Sequence, residues 1–340
     1  MRVAVVSNHD HTGVINRFGQ PIPEFGDREE VESVVAALQE GGHETLICDG
    51  DKGLLATLER FMPPDRQSRP SGIVFNLAWG SQGERPEAGV PAMLEMAGVP
   101  CTGPGPLGYG LAFDKVIIKR LIRDRGVPTP NFRVMRLGTE TTGDLRFPLV
   151  VKPRYECASF GLQLAHEPAQ LRQAVEVIVT LYAQDALVEE YIDGREITVA
   201  LLGNRELEVL PLVEYDFRDR EKRCLTREAK QRRICPGQIG SRLATVLQDI
   251  SVATFLECQC RDYARVDLRI DRSGQAFVLE INNMPSLRMR ASYVLAARTA
   301  GYTFSSLVNR ILDVAHMRYF GIGIPNAEHA SNRGRRIGSS

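Results

Sequence analysis

Lysine is scarce in this chain of 340 residues. It occurs at six positions, Lys52, Lys115, Lys119, Lys152, Lys222 and Lys230, out of 42 basic residues. A surface that has drifted to arginine spares lysine where a compact ammonium on a flexible stem is needed, as at a phosphate, and this singles out Lys115 and Lys152. Long apolar runs are also missing. The one at Met1–Val6 breaks at Ser7-Asn8-His9-Asp10, too early for a signal peptide, and nothing later is long enough to span a bilayer, so the expected location is cytoplasmic with no membrane partner. The seven cysteines are odd in number and scattered, which argues against a disulfide framework. Cys258-Gln259-Cys260 lacks zinc-knuckle spacing and a second pair, and reads as buried reduced thiols. Net charge is absent too, formally zero with a pI near 7.0, so no nucleic-acid partner is announced.

The length exceeds what one core usually supports, so two or three domains are expected. The first third reads as an open α/β domain. Val3–Ser7, Thr45–Cys48 and Gly72–Leu77 are apolar runs with strand character, Arg28–Glu40 has helical periodicity ending at Gly41-Gly42, and a further helix is expected from about Pro91 to Ala97. Strands alternating with helices imply a mainly parallel sheet with ligands at the strands' carboxyl ends, near the Gly-rich loop Gly80-Ser81-Gln82-Gly83-Glu84. The stretch after Gly321 reads as a disordered tail.

A second unit starts near Phe113-Asp114-Lys115, with a helix to Asp124 closed by Gly126. The strand Phe147–Pro153 carries Lys152 at its end, and the loop Arg154–Gly161, including Ser159, is short enough to close over an anion with its backbone N–H groups. Ala186–Val199 reads as strand, turn, strand.

The sharpest local signal is a hairpin. Ala264–Ile270 and Ala276–Asn282 alternate apolar and polar residues about the turn Asp271-Arg272-Ser273-Gly274. With period two, Arg265 and Asp267 share one face, as do Glu280 and Asn282. A register centred between Ser273 and Gly274 sets Asp267 opposite Glu280 and Arg265 opposite Asn282, and a one-residue slip would undo this. Facing carboxylates are destabilising without a cation, and three hard oxygen donors suit Mg²⁺ or Mn²⁺. Taken alone, the hairpin is also compatible with an amphipathic ribbon whose acidic face is solvated.

Taken in order, the motifs Gly98-Val99-Pro100-Cys101-Thr102-Gly103, Asp114-Lys115, Val151-Lys152-Pro153, Glu189-Glu190-Tyr191-Ile192 with Gly194 and Glu196, Arg265-Val266-Asp267 and Leu279-Glu280-Ile281-Asn282 with Met284-Pro285 resemble the ATP-grasp enzymes, in their D-alanine-D-alanine ligase-like branch. The similarity runs from about Gly72 to Leu312. It implies an α/β ATP-grasp fold with an N-terminal open α/β domain (1–112), a central α+β subdomain (113–200), a C-terminal α+β subdomain with the metal site (201–320) and a tail (321–340). By the same resemblance Lys115 and Lys152 contact the phosphates of ATP, Glu189 to Ile192 hold the adenine edge, Glu196 holds the ribose, and Leu279 also borders the nucleotide. Asp267, Glu280 and Asn282 match the ligands of two Mg²⁺ (or Mn²⁺) ions, and Arg265 the arginine that stabilises the developing oxyanion. The implied reaction joins a carboxylate to an amine through an acylphosphate made from ATP, on small amino-acid-like substrates, in a homodimer.

The substrate shell departs from the family pattern. Cys157-Ala158-Ser159 replaces Gly-Ser-Ser in the phosphate loop, where Ser159 is retained. Ser286 replaces a glycine in Ser286-Leu287-Arg288, the segment matching the acceptor substrate loop, and Ala291 falls where a serine is expected. The substrate-orienting glutamate is open between Glu24, Glu29 and Glu30. The Arg-rich stretch Tyr215–Pro236 matches a substrate-covering loop, with Lys230 the candidate phosphate contact. Arg288 and Arg290 add positive charge beside the acceptor segment, from which weak ligation of two D-alanines and a larger or more acidic partner are expected. A D-alanine-D-alanine ligase of peptidoglycan synthesis, a non-catalytic nucleotide-binding protein and a carboxylase or phosphotransferase on the same fold remain alternatives.

Overall fold

A computed structural model describes residues 1–8, 27–80, 85–157, 159–217 and 232–321. The chain opens with β1 (Arg2–Ser7), α1 (Arg28–Glu40), β2 (Glu44–Asp49), α2 (Leu54–Phe61), β3 (Gly72–Asn76), α3 (Pro86–Met96) and α4 (Pro106–Phe113). The three strands form a parallel sheet in the order β2-β1-β3, as the βα alternation requires. Asp27 caps α1 by accepting from the Glu29 N–H, and Glu29 and Glu30 in the first turn suit the positive end of the helix dipole. The helix expected to begin at Pro91 begins at Pro86. Pro86 takes the first helical position, where the missing N–H costs nothing, and Pro91 sits inside the helix.

The chain continues through α5 (Lys115–Asp124) into β4 (Phe132–Met135), β5 (Leu149–Pro153), β6 (Gln163–Ala165), α6 (Pro168–Tyr182) and β7 (Ala186–Glu190). These four strands form an antiparallel sheet, β4-β7-β5-β6, whose core Leu149, Val151, Ala186 and Val188 share with Leu171, Val175 and Ile178 of α6. The last part comprises β8 (Gly194–Gly203), β9 (Leu207–Val209), β10 (Val213–Tyr215), β11 (Arg233–Ile234), α7 (Ser241–Glu257), β12 (Tyr263–Asp271), β13 (Ala276–Asn282), α8 (Ser292–Thr299) and α9 (Phe304–Phe320). Its sheet runs β11-β10-β8-β12-β13, with β9 also on β8.

Two packing facts bear on the domain layout. Residue 200, where the second and third units were expected to meet, lies within β8, and Ile118 and Ile122 of α5 pack with Leu247 of α7 and Val266 of β12. Likewise α9 packs against α1, and Val3, Val5 and Phe75 of the N-terminal sheet share one core with α1 and with Ala296, Leu307 and Ile311 of α8 and α9.

The hairpin pairs Arg265 with Asn282 and Asp267 with Glu280, as the residue pattern required. The route differs from a uniform register. The loop is the three residues Arg272-Ser273-Gly274, with Asp271 bonded to Gln275 and Gly274 at φ +89°, so the near-turn pairs run one residue out of step. A bulge at Leu279, between the Leu268–Val278 and Asp267–Glu280 pairs, restores the alignment beyond it.

Candidate active site

A cleft opens between the central sheet and the C-terminal sheet. Lys115, Lys152, Ser159, Glu189, Tyr191, Ile192, Glu196, Asp267, Leu279 and Glu280 all line it. Each arrives by a local rule. Asp114 caps α5 through the N–H groups of Val116 and Ile117, and this placement fixes Lys115 at the first helical position. A cation there opposes the helix dipole. Its ammonium lies 3.9 Å from Glu280 Oε2 and donates to the Glu156 carbonyl, while burial lowers its pKa. The phosphate-type loop is fastened to the same helix start, because Arg154 grips Asp114 with two bonds of 2.8 and 2.7 Å. Within that loop Ser159 and Gly161 both take positive φ.

The back of the cleft is a buried charge cluster. Glu189 on β7 receives Lys152 at 2.6 Å on one oxygen and Lys119 at 2.9 Å on the other. Burial acts to raise the Glu189 pKa, but the Lys119 and Lys152 ammonium groups outweigh it and hold the carboxyl below its ordinary value. Lys119 is itself fully buried, and burial brings it down to about 8 against the pull of Glu189.

On the opposite wall, register lays one row across three strands: Thr198 of β8, Asp267 of β12, Glu280 of β13. Asp267 accepts from Arg265 Nε at 2.9 Å and Arg265 Nη2 at 2.8 Å, from Thr198 Oγ1 at 2.9 Å and from Asn282 Nδ2 at 3.2 Å. Burial works against the Arg265 charge, and Asp267 more than offsets it, keeping the guanidinium charged. The protein's own cations therefore answer the facing carboxylates, Arg265 at Asp267 and Lys115 at Glu280. The donor set still fits a hard divalent cation. Turning the Asn282 amide over presents its oxygen beside Asp267, adding a third hard donor to the two carboxylates. Among the described residues no cluster of three or more His, Cys, Asp and Glu side chains is suited to a metal, so such a site depends on that amide and on oxygens brought by a ligand.

One cleft residue escaped the sequence reading although its signal was present. Arg269 continues the Arg265, Asp267 alternation on the same face of β12. Its guanidinium sits 4.9 Å from the Tyr191 ring centroid and 3.7 Å from Glu196 Oε2. Lys119 was also visible, one helical turn after Lys115.

Ser286, Leu287 and Arg288 lie outside the cleft lining, against α1. Ser286 Oγ is 3.2 Å from Glu30 Oε1, and the Leu287 N–H donates to the same carboxylate. Of the three candidate glutamates Glu30 is the one that makes this contact, and burial raises its pKa; Glu24, Lys230 and Ala158 lie outside the described residues. Arg288 does not offer the free positive charge expected of it. Its guanidinium is 2.6 Å from Asp27 and 3.6 Å from Glu30, so the carboxylates at the start of α1 already neutralise it. Cys258 and Cys260 are buried free thiols, and burial raises both pKa values.

Two sheets closing on a cleft lined by lysines and by a carboxylate-bearing hairpin define the ATP-grasp class. Residues 121–313 match the family model described as the D-ala D-ala ligase C-terminus. The D-alanine–D-alanine ligase of Desulforudis audaxviator is 31% identical over 84% of this chain and 92% of its own length. The chain belongs to the D-alanine–D-alanine ligase family, which is a family of carbon–nitrogen ligases. A protein of Sinorhizobium fredii (strain NBRC 101917 / NGR234), y4sG, described as uncharacterized, is 68% identical over 95% of this chain and 99% of its own length. In fold, the D-alanine–D-alanine ligase of Bacillus anthracis complexed with ATP matches with TM-score 0.72 at 20% identity, covering 94% of this chain and 98% of that one. The VanG D-Ala:D-Ser ligase of Enterococcus faecalis matches with TM-score 0.68 at 20% identity, over 92% and 99% of the two chains. Among the described residues no helix is long and apolar enough to cross a membrane.

Proposed function

We propose that this chain is an ATP- and Mg²⁺-dependent ligase that joins the carboxylate of one small amino-acid-like substrate to the amine of another. The observation that carries this is the convergence of Lys115, Lys152, Glu189, Glu196, Asp267 and Glu280, from stretches up to 165 residues apart in sequence, on one cleft between two sheets. Lys115 and Lys152 hold phosphate oxygens, Ser159 and its loop close over them, Tyr191, Ile192 and Leu279 flank the base, and Glu196 takes the ribose. Asp267, Glu280 and Asn282 hold up to two divalent ions, which supply charge neutralisation for phosphoryl transfer when bound. Arg265 stays charged beside Asp267, where it can stabilise an oxyanion at the acyl carbon. In this reading the carboxylate is activated as an acylphosphate, and Ser286, Leu287 and Arg288, oriented by Glu30, border the amino-acid site. The three units work as a homodimer. A non-catalytic role has less support, because simple nucleotide binding has no use for Arg265.

The pairing of Arg288 with Asp27 and Glu30 offsets one of the two charges expected to draw an acidic partner, Arg290 being the other. It favours neutral amino acids, D-alanine among them, which is what the names of the relatives also support. A matrix of D- and L-amino acids and related amines, assayed with MgATP for phosphate release and by mass spectrometry for amide products, tests both points. Phosphate release tied to an amide of two neutral amino acids is expected. Absence of any amide across the matrix would overturn the ligase reading, and a dominant acidic partner would overturn the neutral preference.

A further inference from the structure

The reading above leaves Lys119 without a task, although no lysine is more deeply enclosed among the described residues. Its side chain has no solvent exposure, and its ammonium bridges two elements, lying 2.9 Å from Thr129 Oγ1 and 2.9 Å from Glu189 Oε2. Thr129 in turn donates to the Val278 carbonyl at 2.8 Å, directly before the Leu279 bulge that aligns Glu280 with Asp267. The Val278 N–H donates to the Pro128 carbonyl at 2.8 Å, so the linker and β13 are held in register. On its other side Glu189 holds Lys152 at 2.6 Å. One continuous chain of polar contacts therefore runs from the carboxylate-bearing strand, through Lys119, to the lysine at the end of β5.

We infer that Lys119 is a positioning residue for the nucleotide site, a second counter-charge that keeps Glu189 ionised and so frees Lys152 to leave it for a phosphate; this assignment rests on the nucleotide reading of the cleft. Glu189, Lys119 and Lys152 together carry one net positive charge, which suits the arrival of an anion. When Lys152 turns to a phosphate, Glu189 still has a cation 2.9 Å away. Without Lys119, the same movement would strand a carboxylate buried to 2% exposure, and breaking a buried ion pair by removing one partner is strongly unfavourable. Glu189 would then hold Lys152 back, and ATP would bind against that grip. The ammonium of Lys119 is walled off from the cleft by Glu189 and is not among its lining residues, so it acts through Glu189 rather than on ligand.

The test is MgATP affinity by isothermal titration calorimetry on the full chain, wild type against K119M, E189Q and K119M/E189Q, with thermal unfolding as the folding check and steady-state kinetics beside it. K119M is expected to weaken ATP binding at least about tenfold and to raise the ATP KM in proportion, while kcat at saturating ATP changes less than about threefold. With a neutral amide in place of the Glu189 carboxylate there is no charge to compensate, so K119M/E189Q is expected within about threefold of E189Q, a clear departure from additivity. Wild-type affinity in K119M, or a further tenfold loss in the double variant, would overturn the assignment. Should K119M fail to fold, the comparison of the double variant with E189Q decides alone, because it removes both charges together. Failure of the wild type to bind MgATP would overturn the nucleotide reading and this assignment with it, whereas wild-type binding with an indifferent K119M overturns only the assignment.

Discussion

Glu87, in the first turn of α3, is a carboxylate at 2% exposure with no hydrogen-bond partner on another residue among the described ones. Burial raises its pKa from 4.5 to about 7, with its own backbone N–H and Arg85 pulling against burial and Asp114 adding to it. The folded protein therefore holds this proton to a higher pH than the unfolded chain does. Its contribution to stability falls as pH rises from about 4.5 to about 7, by on the order of 3 kcal/mol. E87Q, which lacks the titration, is expected to unfold at a higher temperature than wild type at pH 8 and at nearly the same temperature at pH 4.5; thermal melts at the two pH values read the difference. At the metal donors the choice of residue matters. Asp267→Asn would leave the partly buried Arg265 without its partner and confuse ligand loss with instability. Glu280, at 28% side-chain exposure and 3.9 Å from Lys115, whose ammonium keeps the Glu156 carbonyl as an acceptor, is the cleaner probe. Glu280→Gln is expected to cut turnover by more than the roughly 10–100-fold that outer-shell groups are worth, most severely at limiting Mg²⁺, with little change in melting temperature. Undiminished activity at limiting Mg²⁺ would remove Glu280 from the metal site.

The β12–β13 hairpin shows what an element's sequence reveals and what it conceals. Alternation alone paired Asp267 with Glu280, because the two polar faces had to coincide on the side away from the Val266, Leu268 and Ile281 core. The three-residue loop and the bulge at Leu279 were not legible, because they cancel: each shifts the register by one, and the pattern seen at the far end is the same. Asp271 organises the loop by accepting from the N–H groups of Ser273 and Gln275 and from the Ser273 hydroxyl. Gly274 occupies left-handed backbone space with no atom near an added Cβ. Gly274→Ala should therefore cost only the backbone term, about 1–2 kcal/mol, with the cleft and its activity preserved. Urea unfolding measures the first and MgATP affinity the second. The start of α3 was misread for a related reason, since Pro86 and Pro91 both satisfy the rule for a first helical position and only packing chooses between them.

Across the whole molecule, the N-terminal sheet is joined to the C-terminal part through contacts far apart in sequence, and these no local pattern announces. Asp262 has no solvent exposure and accepts from Arg318 of α9 at 2.7 Å, from the Gly103 N–H at 2.8 Å and from Asn204 at 2.9 Å. Arg318 also donates to the carbonyls of Cys101 and Gly103. Arg318→Met leaves Asp262 buried and poorly compensated, and a loss of about 3–5 kcal/mol is expected, largely recovered in R318M/D262N. Denaturant titrations of the two variants check this, and a double variant as unstable as the single one would deny the charge-pair origin. The cleft itself was legible in the sequence, because its residues sit at strand ends, helix caps and an alternating hairpin. The contact of Ser286 and Leu287 with Glu30 was not, because it joins positions more than 250 residues apart. In the proposed function, the cleft activates a carboxylate with ATP for attack by an amine. The direct test is to supply carboxyl-¹⁸O-labelled amino acids with MgATP and weigh the phosphate released. One ¹⁸O per phosphate, matched by one amide formed, is predicted, and unlabelled phosphate accompanying amide formation would contradict it.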